Sequence, residues 1–113
     1  MNTMKIPFIT IIFILLIGCS KNDSLALMME ASFTEQFSYV CEEKAKCIEA
    51  TESYMDVCFN KELAVAAIEA NKIEKMKINT KHILEMQKCL SLKAGKDYWK
   101  EIDMPDFILS QVN

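Results

Sequence analysis

Apolar and polar positions follow two regimes along this chain. From residue 6 to residue 17 the side chains are almost all apolar, with Thr10 as a mild interruption. After Cys19 polar residues enter every turn, and apolar ones recur at spacings of three and four, the period of an amphipathic helix. Phe37, Cys41, Ala45 and Ile48 form one such stripe, which Phe33 and Val40 widen. Ser32 with Glu35 three residues on has the form of a capping box and predicts a helix start. Thr51 and Ser53, in the stretch "ATESY", can bond to their own backbone and predict a weak point there. Asn60, with Glu62 following, predicts a second start, and Leu63, Ala66, Ala67, Ala70 and Ile73 then give a narrow apolar face. The "INT" at 78–80 predicts a stop and restart, with Thr80 as the next cap. Ile83, Met86, Leu90 and Ala94 continue the pattern until Gly95 ends it. Asp97 is placed to cap a turn through Tyr98 and Trp99, and Pro105 fits the first turn of a last short helix.

The fold expected from this pattern is all-α: a small disulfide-stabilised helical bundle of three main helices plus a short C-terminal helix. Between Cys19 and Ala94 there is neither glycine nor proline, and β-hairpins and phosphate-binding loops need such residues.

The first regime is an address. Lys5 precedes the apolar run, and twelve helical residues span about 18 Å, short of the roughly 30 Å of a hydrocarbon core. A positive start, a short apolar run and small residues at its end make a secretory signal peptide. Leu16-Ile17-Gly18-Cys19 resembles the lipobox of bacterial lipoproteins. That resemblance implies an acylated Cys19 as the first mature residue, anchored stably by several acyl chains. Ser20, in place of an aspartate, implies by the same resemblance the outer membrane facing the periplasm. The expected organisation is a signal peptide over 1–18, a lipidated tether over 19–30 and a single helical domain over 31–113.

Beyond Cys19 there are four cysteines: Cys41, Cys47, Cys58 and Cys89. In a small exported domain an even count reads as two disulfides. Residues six apart on one helix lie on different faces, roughly 9 Å apart along the axis, and a disulfide needs Cα atoms within about 7 Å. With the first helix intact through both, Cys41–Cys47 with Cys58–Cys89 is therefore the least expected pairing. A helical hairpin at 52–53 favours Cys47–Cys58 with Cys41–Cys89, and Cys41–Cys58 with Cys47–Cys89 is the alternative.

All thirteen basic residues are lysine. Arginine is the usual bidentate reader of phosphate, so no nucleic-acid partner is expected. Without Lys5, twelve lysines stand against sixteen acids, a formal charge of −4 for the mature chain. From Glu30 to Glu69 there are nine acids and three lysines, and from Lys72 to Lys100 eight lysines and three acids. Either two helical segments neutralise each other, or an acidic face is offered to a basic partner.

Candidate chemistry is sparse. His82 is the only histidine, expected to be exposed at a helix start and unemployed. There is no Cys-x-x-Cys pair, and no nucleophile-elbow or metalloprotease motif. The carboxylate pairs Glu42-Glu43 and Glu49-Glu52 are what an acidic helix supplies by accident. The scattered methionines suit core filling better than copper. No enzyme activity, metal, cofactor or small-molecule substrate is expected. The stretch "KDYWKEIDMPDFILSQ" at 96–111 holds the only tryptophan. It offers Tyr98, Trp99, Glu101, Asp103, Asp106 and Phe107 as a partner-binding surface, or else it closes the open end of the bundle. The expected function is that of an immunity protein, neutralising a basic toxin delivered to the cell envelope. The alternative is a structural, assembly or exclusion lipoprotein of a secretion or conjugation apparatus.

Overall fold

The computed structural model describes residues 21–112. Within them lie five helices and no strand: α1 (Lys21–Tyr39), α2 (Ala45–Cys58), α3 (Lys61–Glu69), α4 (Lys72–Ala94) and α5 (Met104–Val112). The small helical bundle expected from the sequence is the fold, with its helix boundaries redrawn.

Helix α1 is already under way at Lys21, eleven residues before the anticipated cap at Ser32. Residues 21–30, expected as a tether, are helical, and Ala26 among them is buried. Leu, Ala, Met and Glu are strong helix formers, and α1 has α3 to pack against. Ser32 is therefore an exposed residue inside a helix rather than its cap.

The stop comes at Tyr39, where the stripe of apolar residues had predicted continuation. Cys41 N–H donates to the Ser38 carbonyl, Glu42 N–H to Tyr39 and Lys44 N–H to Cys41, a run of tight turns over 40–44. Glu42 takes a left-handed conformation with φ 57°, rare for a residue with a side chain. After this reversal Cys41 and Cys47 are no longer on one helix. Their Cα atoms are 5.5 Å apart and they form a disulfide. Cys58, at the end of α2, is joined to Cys89 on α4. The pairing judged least expected is the one found, because the intact helix that excluded it does not exist. Neither Cys47–Cys58 with Cys41–Cys89 nor Cys41–Cys58 with Cys47–Cys89 forms. By loop entropy the 31-residue closure stabilises by roughly 3.5 kcal/mol and the 6-residue one by about 2 kcal/mol.

Helix α2 then runs unbroken through the expected weak point. The Thr51 hydroxyl is buried and donates to the Cys47 carbonyl one turn back, so it is satisfied without leaving the helix. Asn60 starts α3 as anticipated, its side-chain oxygen accepting from Leu63 N–H at 3.1 Å. The next stop falls at Ala70 rather than at 78–80. Asn71 caps α4 by accepting from Glu74 N–H at 2.9 Å, and α4 continues through 78–80 to Gly95, whose φ of 78° ends it.

Helix α4 is the spine. It packs on α2, α3 and α5, and His82, Ile83, Met86 and Leu90 are its buried residues, an inward face at helical spacing. They meet Phe33 and Phe37 of α1, Met55 of α2, and Trp99, Met104 and Ile108 from the C-terminal segment in one core.

The disulfide pairing has a distinctive tryptic signature. Trypsin leaves Cys47 and Cys58 on one peptide, 47–61, because no lysine lies between them. Without reduction, peptides 22–44, 47–61 and 89–93 should travel as one species. Cyanogen bromide cleavage at Met55 should then split it, leaving Cys47 with Cys41 and Cys58 with Cys89. A separate species joining only 22–44 to 89–93 would mean Cys41–Cys89 instead.

Candidate functional site

The C-terminal stretch divides into a part that closes the core and a part that faces outward. Trp99 belongs to the first. It is fully buried, its ring meets Phe37 edge-on at 5.4 Å, and its indole N–H donates to the Phe37 carbonyl at 3.1 Å. It is a closing residue and is removed from the expected binding surface. Tyr98 is half-buried against it, with the Lys96 ammonium 5.2 Å from its ring. Asp97 holds the turn as anticipated: it accepts from Trp99 N–H at 2.9 Å, and Gln87 donates to both its oxygens at 3.2 and 3.3 Å.

The outward part begins at Glu101, which is exposed. Asp103 caps α5 by accepting from Asp106 N–H at 3.1 Å. Asp106 is exposed, and beside it the Phe107 ring stacks on Tyr39 at 6.1 Å with an interplanar angle of 13°. Tyr39 is 74% exposed. Its carbonyl accepts from Glu42 N–H, so Glu42 and Glu43 sit in the same corner. Four residues from three segments thus meet where α1 ends, Tyr39, Glu42, Glu43 and Phe107, with Asp106 next to Phe107 in α5. On the α4 side of α5, an open cleft of about 810 Å³ has Met76, Leu84, Ile102 and Leu109 in its lining, with Asp103 and Asp106 beside them.

From that corner acidity continues along α2. Glu49, Glu52 and Asp56 are exposed at spacings of three and four, which places them on one outer stripe. The two ion pairs among the described residues are Lys61–Asp23 and Lys77–Glu74. Neither involves Glu42, Glu43, Glu49, Glu52 or Asp56. The acid-rich and lysine-rich segments do pack as α2 against α4, yet they do not neutralise each other through ion pairs. Lys93 of α4 lies 5.5 Å over the Tyr54 ring instead.

His82 corrects a second expectation. It is fully buried rather than exposed, between Phe33 at 5.7 Å and Phe59 at 4.9 Å. Its Nε2 accepts from Asn60 N–H at 2.9 Å, so the ring proton is on Nδ1, which has no partner among the described residues. Burial pushes its pKa down from 6.5 to about 4. A neutral imidazole wedged between rings and bonded to a helix start is a structural element. It ties α3 to α4 at the point where the chain leaves α2.

Among the described residues no three His, Cys, Asp or Glu side chains are grouped to hold a metal. Met55, Met86 and Met104 are buried in the core, while Met28 and Met76 are exposed. No described helix is long and apolar enough to cross a membrane. Cys19 and the rest of the lipobox lie outside the described residues. No protein-family model matches the chain, and neither a curated protein nor a solved structure matches it.

The surface acids were visible in the sequence as the pairs Glu42-Glu43 and Glu49-Glu52. What the sequence did not carry was their union with Tyr39 and Phe107, which depends on where α1 stops.

Trp99→Ala should destabilise the fold by about 3–5 kcal/mol, a large share of the roughly 5–15 kcal/mol typical of a domain; denaturant unfolding measures it. For His82 the folded pKa lies below the unfolded one. Between them the unfolded chain takes up the proton and the folded chain does not, so stability falls as pH drops from about 6.5 to about 4. The loss is on the order of 3 kcal/mol. Unfolding midpoints across that range should show the decline in the native protein and its absence in His82→Gln.

Proposed function

We propose that this protein is a lipid-anchored envelope protein that binds a basic protein partner through its acidic outer face. Within that class we favour an immunity protein for a toxin delivered to the envelope. The observation that carries the proposal is the acidic ridge: Glu42, Glu43, Glu49, Glu52 and Asp56 are exposed, and none is in an ion pair among the described residues. Like charges one turn apart on a helix repel and cost a few tenths of a kcal/mol per pair. A fold gains nothing from such a ridge. A complex with a basic surface does, through faster encounter and rejection of wrong partners.

The aromatic corner adds what a charged ridge lacks. Tyr39 and Phe107 give a stacked apolar contact beside Glu42, Glu43 and Asp106, and tyrosine is a frequent anchor of interfaces. Two disulfides suit a domain that must keep one shape outside the cytoplasm. The lipobox supplies the location, through Cys19.

The lipoprotein, purified from membranes and held in nanodiscs, should retain a basic cell-wall hydrolase from the secreted proteins of its source strain and abolish that enzyme's activity. Glu49→Gln, Glu52→Gln and Asp56→Asn together should slow association about tenfold at low salt and flatten its salt dependence. Capture of envelope secretion components in the absence of any toxin would favour the assembly role instead. A complex whose association rate ignores all three substitutions would remove the acidic ridge from the interface.

A further inference from the structure

The opposite end of the bundle carries a different surface. Asn22, in the first turn of α1, donates from Nδ2 to Glu69 at 2.8 Å, and Lys61 pairs with Asp23 at 3.2 Å. Glu69 ends α3, and α4 begins three residues later at Lys72. The first turns of α1 and α4 therefore share one end of the molecule. Tyr39 lies seventeen residues along α1 from Asn22, about 25 Å away.

This end exposes large apolar side chains. Leu27 is 65% exposed and Met28 67% on α1, and Ile73 is 70% exposed on α4; Met76, 50% exposed one turn on, reaches the cleft beside α5. None is drawn into the core. Asp23, Glu69 and Glu74 keep acids at this end, but the first part of α4 is lysine-rich where α2 is acidic. Residues 72–81 hold Lys72, Lys75, Lys77 and Lys81 against the single acid Glu74, and all four lysines are exposed. One of them, Lys77, pairs with Glu74. Exposed apolar residues among lysines are the composition of a surface that lies in a lipid interface, with lysine stems buried and ammonium groups at the headgroups.

We infer that the end formed by the first turns of α1 and α4 is a membrane seat, in which Leu27, Met28 and Ile73 enter the headgroup region of an anionic bilayer. The inference rests on the acylation of Cys19 put forward above. Cys19 comes two residues before Lys21, the first described residue of α1, so an acylated Cys19 holds this end within a few residues' reach of the lipid. The lysines match anionic headgroups, each such residue adding to attraction near the surface. The seat fixes the orientation of the domain: the corner of Tyr39, Glu42 and Phe107 faces away from the bilayer, where a soluble partner meets it.

The test uses the full lipoprotein reconstituted in vesicles, with a tryptophan as the depth probe. Trp99 is buried and gives a constant background. Leu27→Trp and Ile73→Trp report on the seat, and Leu92→Trp, at a residue 75% exposed near the far end of α4, is the control. Acyl-brominated lipids should quench the first two at least about twofold and leave the third unchanged. Quenching should be stronger with about one-third phosphatidylglycerol than with phosphatidylcholine alone. Mass spectrometry of the Cys19–Lys21 peptide reports the acylation separately. Acylation without quenching at Leu27→Trp and Ile73→Trp would overturn the seat and leave the anchor standing. A missing acyl group would overturn the anchor; quenching that survived it would still support the seat, and its loss would end both. Equal quenching at Leu92→Trp, or a concentration-dependent blue shift without lipid, would overturn the seat, the second indicating that another copy of the chain covers this end.

Discussion

The Cys41–Cys47 disulfide spans the point where α1 stops and α2 begins, and the rest of the bundle depends on that point. Had α1 run on through Cys47, its apolar stripe would have stayed on one rod, with no second helix to cover Phe33 and Phe37. The reversal over 40–44, with Glu42 in a left-handed conformation, folds α2 back so that Cys58 reaches Cys89. It also frees the Phe37 carbonyl, in the last turn of α1, to accept the Trp99 indole. The C-terminal segment is thereby fastened to the same turn that the disulfide closes.

A polarity along the bundle follows. Near the start of α4 the surface is apolar with Lys72, Lys75, Lys77 and Lys81 exposed; near the end of α1 it is acidic and aromatic. The two are separated by the length of one helix, with the core of α4 between them. The charge segregation written along the sequence is carried into space rather than cancelled, because α2 and α4 meet through apolar contacts and a disulfide. On the reading proposed above, the membrane and the partner are held by different faces of the bundle.

Punctuation with a local mechanism was legible: Asn60 as a cap, Gly95 as a helix end, Asp97 in its turn and Pro105 in the first turn of the last helix all act where the sequence placed them. What was not legible came from tertiary context. Val40 to Lys44 contains no breaker, and a helix former in left-handed geometry is held there by the disulfide and the packing behind it rather than by local preference. Asn71 is the cap that acts, whereas Asn79 and Thr80 of "INT" are carried inside α4. Ser32 and Glu35 satisfied the capping pattern but lie in a helix already under way. The burial of His82 could not be foreseen from its neighbours, since the backbone amide it serves belongs to Asn60, and the rings that cover it to Phe33 and Phe59. The acids of the candidate surface were plain in the sequence; their aromatic companions were not.

The spacing of the cysteines bears on how the chain reaches this state as it oxidises. Of the six pairs that four cysteines allow, Cys41 and Cys47 are the closest in sequence, six residues apart. Loop-closure statistics favour that encounter about tenfold over the 31-residue one and about 2.5-fold over the competing 11-residue Cys47–Cys58 loop. Once it is made, Cys58 and Cys89 have only each other. Chain statistics alone thus lean toward the native pairing, short loop before long, and the folded packing has only a small preference to add.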